Sequence, residues 1–242
     1  MSQPLSAADI IFPHLSNTPS LSSTLSSLRR STLSTHNRLT SIISDSKFVI
    51  TVAAAYNIPL VANERCGSWY IPPSRKSGSV YFKSTDGHMG EWSFSLRRLN
   101  LQLLDVVEKW GGALVVDSTR RGKSMPDALS KTIPIWCCVM NRAVFVDEKK
   151  QEMGLFTPPQ AVSESEHAQM EKRIDGFVRQ FVVCHRFFLH HVIAVAHKKT
   201  RKLANPIFQI FVVNCKSHFG LFGLLRSRLF PNRLLVSQIS TP

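Results

Sequence analysis

The sequence predicts an α/β protein, a mixed sheet flanked by helices with a poorly ordered basic C-terminal tail. Three observations carry that class. Ala113 to Val116 is a short apolar run set off by Gly111 and Gly112, which reads as a buried strand. Apolar residues at helical spacing, Leu96, Leu99, Leu103, Val107 and Trp110, lead straight into it, so helix, strand and loop follow one another as in an α/β unit. Residues 182–242 carry nine Lys+Arg and no acid, an unusual composition for a globular domain surface.

The 242 residues have room for one large domain or two small ones, and 43% apolar content suffices for a core. The net charge of +14 favours a polyanionic partner, nucleic acid before membrane. No apolar run reaches 18 residues, and the N-terminus lacks a signal-peptide pattern, so a soluble cytoplasmic protein with no membrane role is expected. The five cysteines form no C-x-x-C pair, in keeping with reduced thiols. No C-x-x-x-x-x-R phosphatase loop lies in the plausible region.

In chain order, residues 1–24 are rich in Ser, Thr and Pro and read as a flexible arm. Helical spacing begins near Leu25, with Leu28, Leu39, Ile42 and Ile43 on one stripe, and Phe48 to Tyr56 forms a second helix ended by Asn57 and Pro59. Leu60 to Tyr70 reads as strand and loop, and Ser79 to Phe82 as a second strand. Asp86-Gly87 marks a turn. Trp92 to Trp110 reads as one helix, Ile133 to Met140 and Ala143 to Val146 as buried strands. Ser163 with Glu166 forms a capping box opening a helix whose stripe is Met170, Ile174, Phe177, Val178 and Phe181. The main domain is expected over 25–181, and 182–242 as an atypical tail.

Chemistry concentrates where the strands end. Asp117 closes the central run with a charge, and a carboxylate there is costly unless it has a partner or faces a cleft. Ser118, Thr119, Arg120, Arg121, Gly122 and Lys123 follow, then Ser124, Pro126 and Asp127 at a helix start. Strand, basic loop and helix N-terminus together favour an anion; a solvated basic turn fits the pattern as well. The loop is not a Walker A, because Asp117 stands where its first glycine belongs. Two more polar clusters follow apolar runs, Glu64-Arg65 with Ser68-Trp69-Tyr70, and Lys83 to His88. If the runs are neighbouring strands, all three loops meet at one sheet edge. Arg120, Arg121 and Lys123 would then neutralise a pyrophosphate leaving group, and Lys83 is a further candidate for holding the co-substrate. Asp86 or Asp117 would hold Mg²⁺, and His88 or Asp117 would take a proton from an attacking hydroxyl. Trp69 and Tyr70 are candidates for stacking on a base, or else core or lid residues.

Four stretches, Asn63 to Tyr70, Tyr81 to His88, Phe94 to Asn100 and Asp117 to Asp127, occur in the order found in the initiator tRNA phosphoribosyltransferase family, which the chain resembles over roughly 25–181. The resemblance implies transfer of ribose 5-phosphate from phosphoribosyl pyrophosphate to the 2′-hydroxyl of adenosine 64 of initiator methionine tRNA. Mg²⁺ as cofactor and a monomeric state are expected beside it. It also implies a C-terminal phosphatase-like domain. In its place stands the 182–242 segment, as in a truncated or mis-spliced chain, so a catalytically inactive tRNA-binding fragment is the alternative.

Overall fold

The computed structural model describes residues 21–32, 34–119, 125–144, 154–184, 209–216 and 235–237. The chain divides into two compact units, Met1–Ser41 and Ile42–Pro242. In the first lie α1 (Leu21–Thr32) and the start of α2 (Thr35–Tyr56). The single helix expected from Leu25 to Ile43 is therefore two, separated at 33–34. Ser34 opens α2 as an N-cap, its Oγ accepting from the Asn37 N–H at 3.3 Å. Leu25, Leu28, Leu39 and Ile43 are exposed rather than sharing a buried stripe.

The second unit is built on a sheet in the order β2-β1-β3-β4-β5. Its strands are β1 (Leu60–Asn63), β2 (Lys76–Val80), β3 (Gly112–Thr119), β4 (Gln209–Lys216) and β5 (Leu235–Ser237). The α/β class stands, and every described pairing is parallel. Parallel strands need helices or loops on both faces, so their residues are buried on both sides and read as continuous apolar runs. Leu60 to Asn63 and all eight residues of β3 are buried. Alternation sends Val61, Ala113 and Val115 to one face, where they meet Leu103 and Val107 of α3 (Gln102–Trp110), then α4 (Ile133–Val144) and α5 (Glu164–Cys184). Leu60, Ala62, Leu114 and Val116 face the other way, against Val49 and Val52 of α2 with Tyr70 and Ile71.

α2 ends as a Schellman motif: the Ile58 N–H donates to the Ala53 carbonyl (3.1 Å) and the Asn57 N–H to that of Ala54 (3.2 Å). Asn57 sits at φ 50°, a left-handed position its short polar side chain tolerates. α2 then turns at Pro59 directly into β1. α3 ends at Gly111, at φ 74°, and enters β3.

Two expectations fail here. Residues 92–101 do not join α3: Asn100 lies at φ 50°, and its side chain accepts from the Tyr81 N–H (2.8 Å) and donates to the Tyr81 carbonyl (3.3 Å). That side chain pairs with the backbone beyond β2 as a strand would. Ile133 to Met140 is the helix α4, not a strand, and so is the Ala143–Val144 part of the expected third strand, whose last two residues lie outside the described ones. Pro134 stands at the junction with a preceding π-helical turn, where the regular i→i−4 ladder is already interrupted. α4 is preceded by a π-helical segment, Ala128–Thr132, buried at all five residues.

The capping box is half made. The Glu166 N–H donates to Ser163 Oγ (3.3 Å), while the carboxylate points elsewhere. The stripe of α5 is as expected, with Met170, Ile174 and Phe181 buried. Most of the 1–24 arm and of the 182–242 tail lies outside the described residues; from Leu21 the arm is already α1. The described parts of the tail are the end of α5 and the strands β4 and β5. Among the described residues no helix is long and apolar enough to cross a membrane.

Candidate active site

In a parallel sheet every strand ends at the same edge, so the loops leaving β1, β2 and β3 emerge together. Their meeting point is Asp117, whose side chain is fully buried. Its Oδ2 accepts from Asn63 Nδ2 (2.8 Å) and from Arg65 Nε (3.0 Å). Its Oδ1 accepts from the Ser118 N–H (2.8 Å) and from Cys66 Sγ (3.0 Å). A buried carboxylate is tolerated under these conditions, with a cationic partner and its lone pairs filled.

Each donor ties a different loop to β3. Asn63 also accepts from the Phe82 N–H (2.8 Å) and donates to the Phe82 carbonyl (3.1 Å), which carries the anchor to the exit of β2. Arg65 is held a second time by the Ser118 carbonyl (3.1 Å from Nη2). Burial opposes the charge on Arg65, but Asp117 outweighs it and raises the guanidinium above its ordinary range. Burial, then the charge of Asp117, pushes the Cys66 thiol up, so it is a hydrogen-bonding neutral group rather than a thiolate. Gly67 lets the loop lie flat on β3: a Cβ there would stand 2.1 Å from the Val116 carbonyl oxygen.

The loop after β2 packs against the start of α4. The expected turn is a 3₁₀ turn, Thr85–Gly87. A Cβ on Gly87 would meet the Asp127 carbonyl oxygen at 2.8 Å and Thr132 Oγ1 at 2.9 Å. Thr132 Oγ1 donates to the Lys83 carbonyl (2.8 Å), and Ser84 Oγ accepts from the Ala128 N–H (3.3 Å). His88, half exposed, has Nε2 3.7 Å from Asp127 Oδ2. Behind them runs a buried ionic chain. Lys131 Nζ lies 3.4 Å from Asp127 Oδ1 and 2.6 Å from Glu166 Oε1, which also accepts from Trp92 Nε1 (3.2 Å).

Of the residues singled out in the sequence, Asp117, Ser118 and Thr119 lie at the end of β3, buried. Lys83 and Asp86 are half-buried in the β2 exit, and Asp86 lines a narrow cleft with Ser93, Arg98 and Thr132. Arg120, Arg121, Gly122 and Lys123 lie outside the described residues and follow the last residue of β3, Thr119, in the sequence. Tyr70 is core and Trp69 is exposed. Cys137 and Cys138 are buried in α4, where burial pushes the Cys138 thiol up to about 12. Among the described residues no group of three or more His, Cys, Asp or Glu is placed to hold a metal. Sequence reasoning missed Asn63, Asp127, Lys131 and Glu166 as parts of this edge and gave Arg65 no role of its own. Asn63 and Asp117 lie 54 residues apart and Trp92 and Glu166 74, so spacing along the chain carries no trace of those pairs; Asp127 and Lys131 stand four apart, the one signal that could have found them.

A parallel α/β domain whose strand ends gather charged and polar side chains at one edge has the architecture in which ligands are commonly taken at the carboxyl ends of the strands. The particular family is shown by comparison: the chain belongs to the family described as the Rit1 N-terminal domain, whose model matches residues 28–219. That match runs past the boundary expected at residue 181. The chain is 45% identical over 166 residues to the tRNA A64-2′-O-ribosylphosphate transferase of Saccharomyces cerevisiae, over 66% of this chain and 32% of that protein. It is 51% identical over 147 residues to an uncharacterized protein of Schizosaccharomyces pombe, over 59% of this chain and 32% of the relative. The chain therefore spans about a third of the length of these curated relatives. No solved structure matches it.

Proposed function

We propose that this chain carries the donor-binding edge of an RNA-directed pentosyltransferase. The reaction moves ribose 5-phosphate from phosphoribosyl pyrophosphate to the 2′-hydroxyl of adenosine 64 of initiator methionine tRNA, which keeps that tRNA out of elongation. The observation that carries the reading is the anchor of Arg65 on buried Asp117, at the end of the strand that feeds the basic segment 120–123. It fixes a cation where an anion binds in open α/β sheets, and the similarity to the yeast transferase supplies the reaction.

In this reading the bond from the anomeric carbon to the pyrophosphate oxygen breaks as the bond to the 2′-oxygen forms, and the 2′-hydroxyl proton leaves to a base. Charge grows on the departing pyrophosphate, so preorganised cations contribute most. Arg65, Arg120, Arg121 and Lys123 receive it, with Ser118, Thr119 and the backbone at Gly122 as donors. Lys83 takes the sugar 5-phosphate. His88, with Asp127 beside it, is the open proton acceptor; Asp117, already accepting four hydrogen bonds, acts by positioning Arg65.

The same crowding leaves Asp117 no free oxygen for a metal. Asp86 fits better: its carboxylate is half-buried at the cleft, and Mg²⁺ is commonly bound by one or two carboxylates plus substrate phosphates. Bound there, Mg²⁺ would neutralise phosphate charge.

The test incubates purified protein with initiator tRNA, labelled phosphoribosyl pyrophosphate and Mg²⁺. Label transfer to the tRNA supports the enzyme. Arg121→Ala should abolish transfer while the far-ultraviolet dichroism stays unchanged; undiminished transfer refutes the leaving-group role. A second reading is tRNA binding without catalysis, and a gel shift without transfer would establish it. We place the protein in the cytoplasm as a monomer.

A further inference from the structure

We propose that Trp69 and Tyr81 form a stacking platform for an unpaired nucleobase of the RNA, beside the β2 edge of the sheet. The inference rests on the RNA-directed reading above and adds where the RNA lies.

The turn Gly67–Tyr70 buries one aromatic ring and presents the next: Tyr70 is in the core, while Trp69 is 68% exposed. The turn is pinned to β3 at Gly67, and Tyr70 fills the core beneath it. Tyr81 follows β2, with its backbone held extended by Asn100 on one side of the chain and its neighbour Phe82 held by Asn63. Val80 and Phe82 enter the core, so Ser79 and Tyr81 face the other way. The Tyr81 ring is 40% exposed.

Glu64 ties the turn that carries Trp69 to the strand that leads to Tyr81. Its carboxylate accepts from Ser68 Oγ (2.9 Å), the residue before Trp69, and from Ser79 Oγ (2.5 Å), two residues before Tyr81. Lys76 Nζ lies 3.2 Å from the same carboxylate and offsets its charge. The hydrogen bond from Ser79, then those from Ser68 and Lys76, lowers the Glu64 carboxyl below its ordinary range, so the bridge persists at neutral pH. Arg98 lies over the Tyr81 ring at 5.5 Å from its centroid.

The surroundings match a polyanion. Residues 64–83 contain four Lys+Arg and one acid, the Glu64 just described. Rigid aromatic faces set among cations are how proteins hold unpaired bases without reading their sequence. The platform sits beside the loops that converge on Asp117, which places an RNA strand crossing it within reach of the donor-binding edge.

The experiment measures binding of fluorescently labelled initiator tRNA to the full chain by anisotropy, for wild type, Trp69→Ala, Trp69→Phe, Tyr81→Ala and Trp110→Ala. Trp110 is 51% exposed but ends α3, at the opposite end of the sheet, and serves as the control. Trp69→Ala is expected to raise Kd about 5- to 150-fold, the range for losing one base–aromatic stack. Trp69→Phe should restore most of the loss, Tyr81→Ala should weaken binding in the same direction, and Trp110→Ala should stay within about twofold of wild type. Equal affinity for wild type and Trp69→Ala overturns the platform and leaves the RNA reading standing. A loss in Trp110→Ala as large as in Trp69→Ala overturns it too, as a non-specific effect. Failure of the wild-type chain to bind tRNA overturns both.

Discussion

Asp45→Asn should make the protein more stable in base than its parent, and the size of the gain follows from where Asp45 lies. Asp45, Val49 and Val52 fall at positions i, i+4 and i+7 of α2, on the stripe that covers the sheet, and all three are buried. The Oδ2 of Asp45 has no hydrogen-bond partner among the described residues. Burial raises its carboxyl from 3.8 to about 7. Between those values the folded chain holds a proton that the unfolded chain has released, so stability falls as pH rises through that window. Well above pH 7, once the folded chain has also released the proton, the full cost is present, at most on the order of 4 kcal/mol, because each tenfold change in proton affinity is worth about 1.36 kcal/mol. The Asn variant keeps the shape and removes the titration. Urea unfolding, followed by tryptophan fluorescence at several pH values from about 4.5 to 8.5, should show the variant gaining about 3–4 kcal/mol on wild type from the acid to the basic end. If the two stabilities run parallel within about 0.5 kcal/mol across that range, Asp45 is not an unpaired buried acid and the argument fails.

Gly67→Ala should destabilise the fold by about 1–3 kcal/mol or more, since the new methyl meets backbone on β3 rather than a side chain that can turn away. Thermal unfolding checks it, and an unchanged midpoint refutes the close approach. Lys131→Met should cost about 3–5 kcal/mol by taking the ammonium partner from the buried Glu166 carboxylate, while Lys131→Met with Glu166→Gln should recover part of the loss. Equal stability of the single and double variants in urea would show that the pair is not coupled.

The readings that held are those set by local pattern. An apolar run after paired glycines became β3, the Asp86-Gly87 pair became a tight turn, and the spacing from Met170 to Phe181 became the buried face of α5. α4 misled for a physical reason. From Ile133 to Asn141 every residue is buried, so the helix has no polar face, and a short all-apolar segment reads equally well as a buried strand. The segment 92–101 misled differently. Leu96 and Leu99 pack against the core at helical spacing, but Asn100 turns the backbone left-handed to pair with Tyr81, a partner 19 residues away.

Glu166 shows the limit within one residue. Its place three after Ser163 predicts a carboxylate returning to the helix start, and its N–H does cap there. Its carboxylate goes instead to Lys131 and Trp92, because a buried ammonium is a stronger partner than an exposed cap.

By itself, the sequence determined the α/β class, a basic segment behind a strand-end acid, and the loops in which polar chemistry concentrates. The tertiary structure decided that the strands run parallel and that their loops leave by one edge. It also decided that Asp117 is spent on Asn63 and Arg65. The physical reason is the separation along the chain. Those partners lie 54 and 52 residues from Asp117, and only the packing of β1 beside β3 brings the charge and its donors within hydrogen-bond distance.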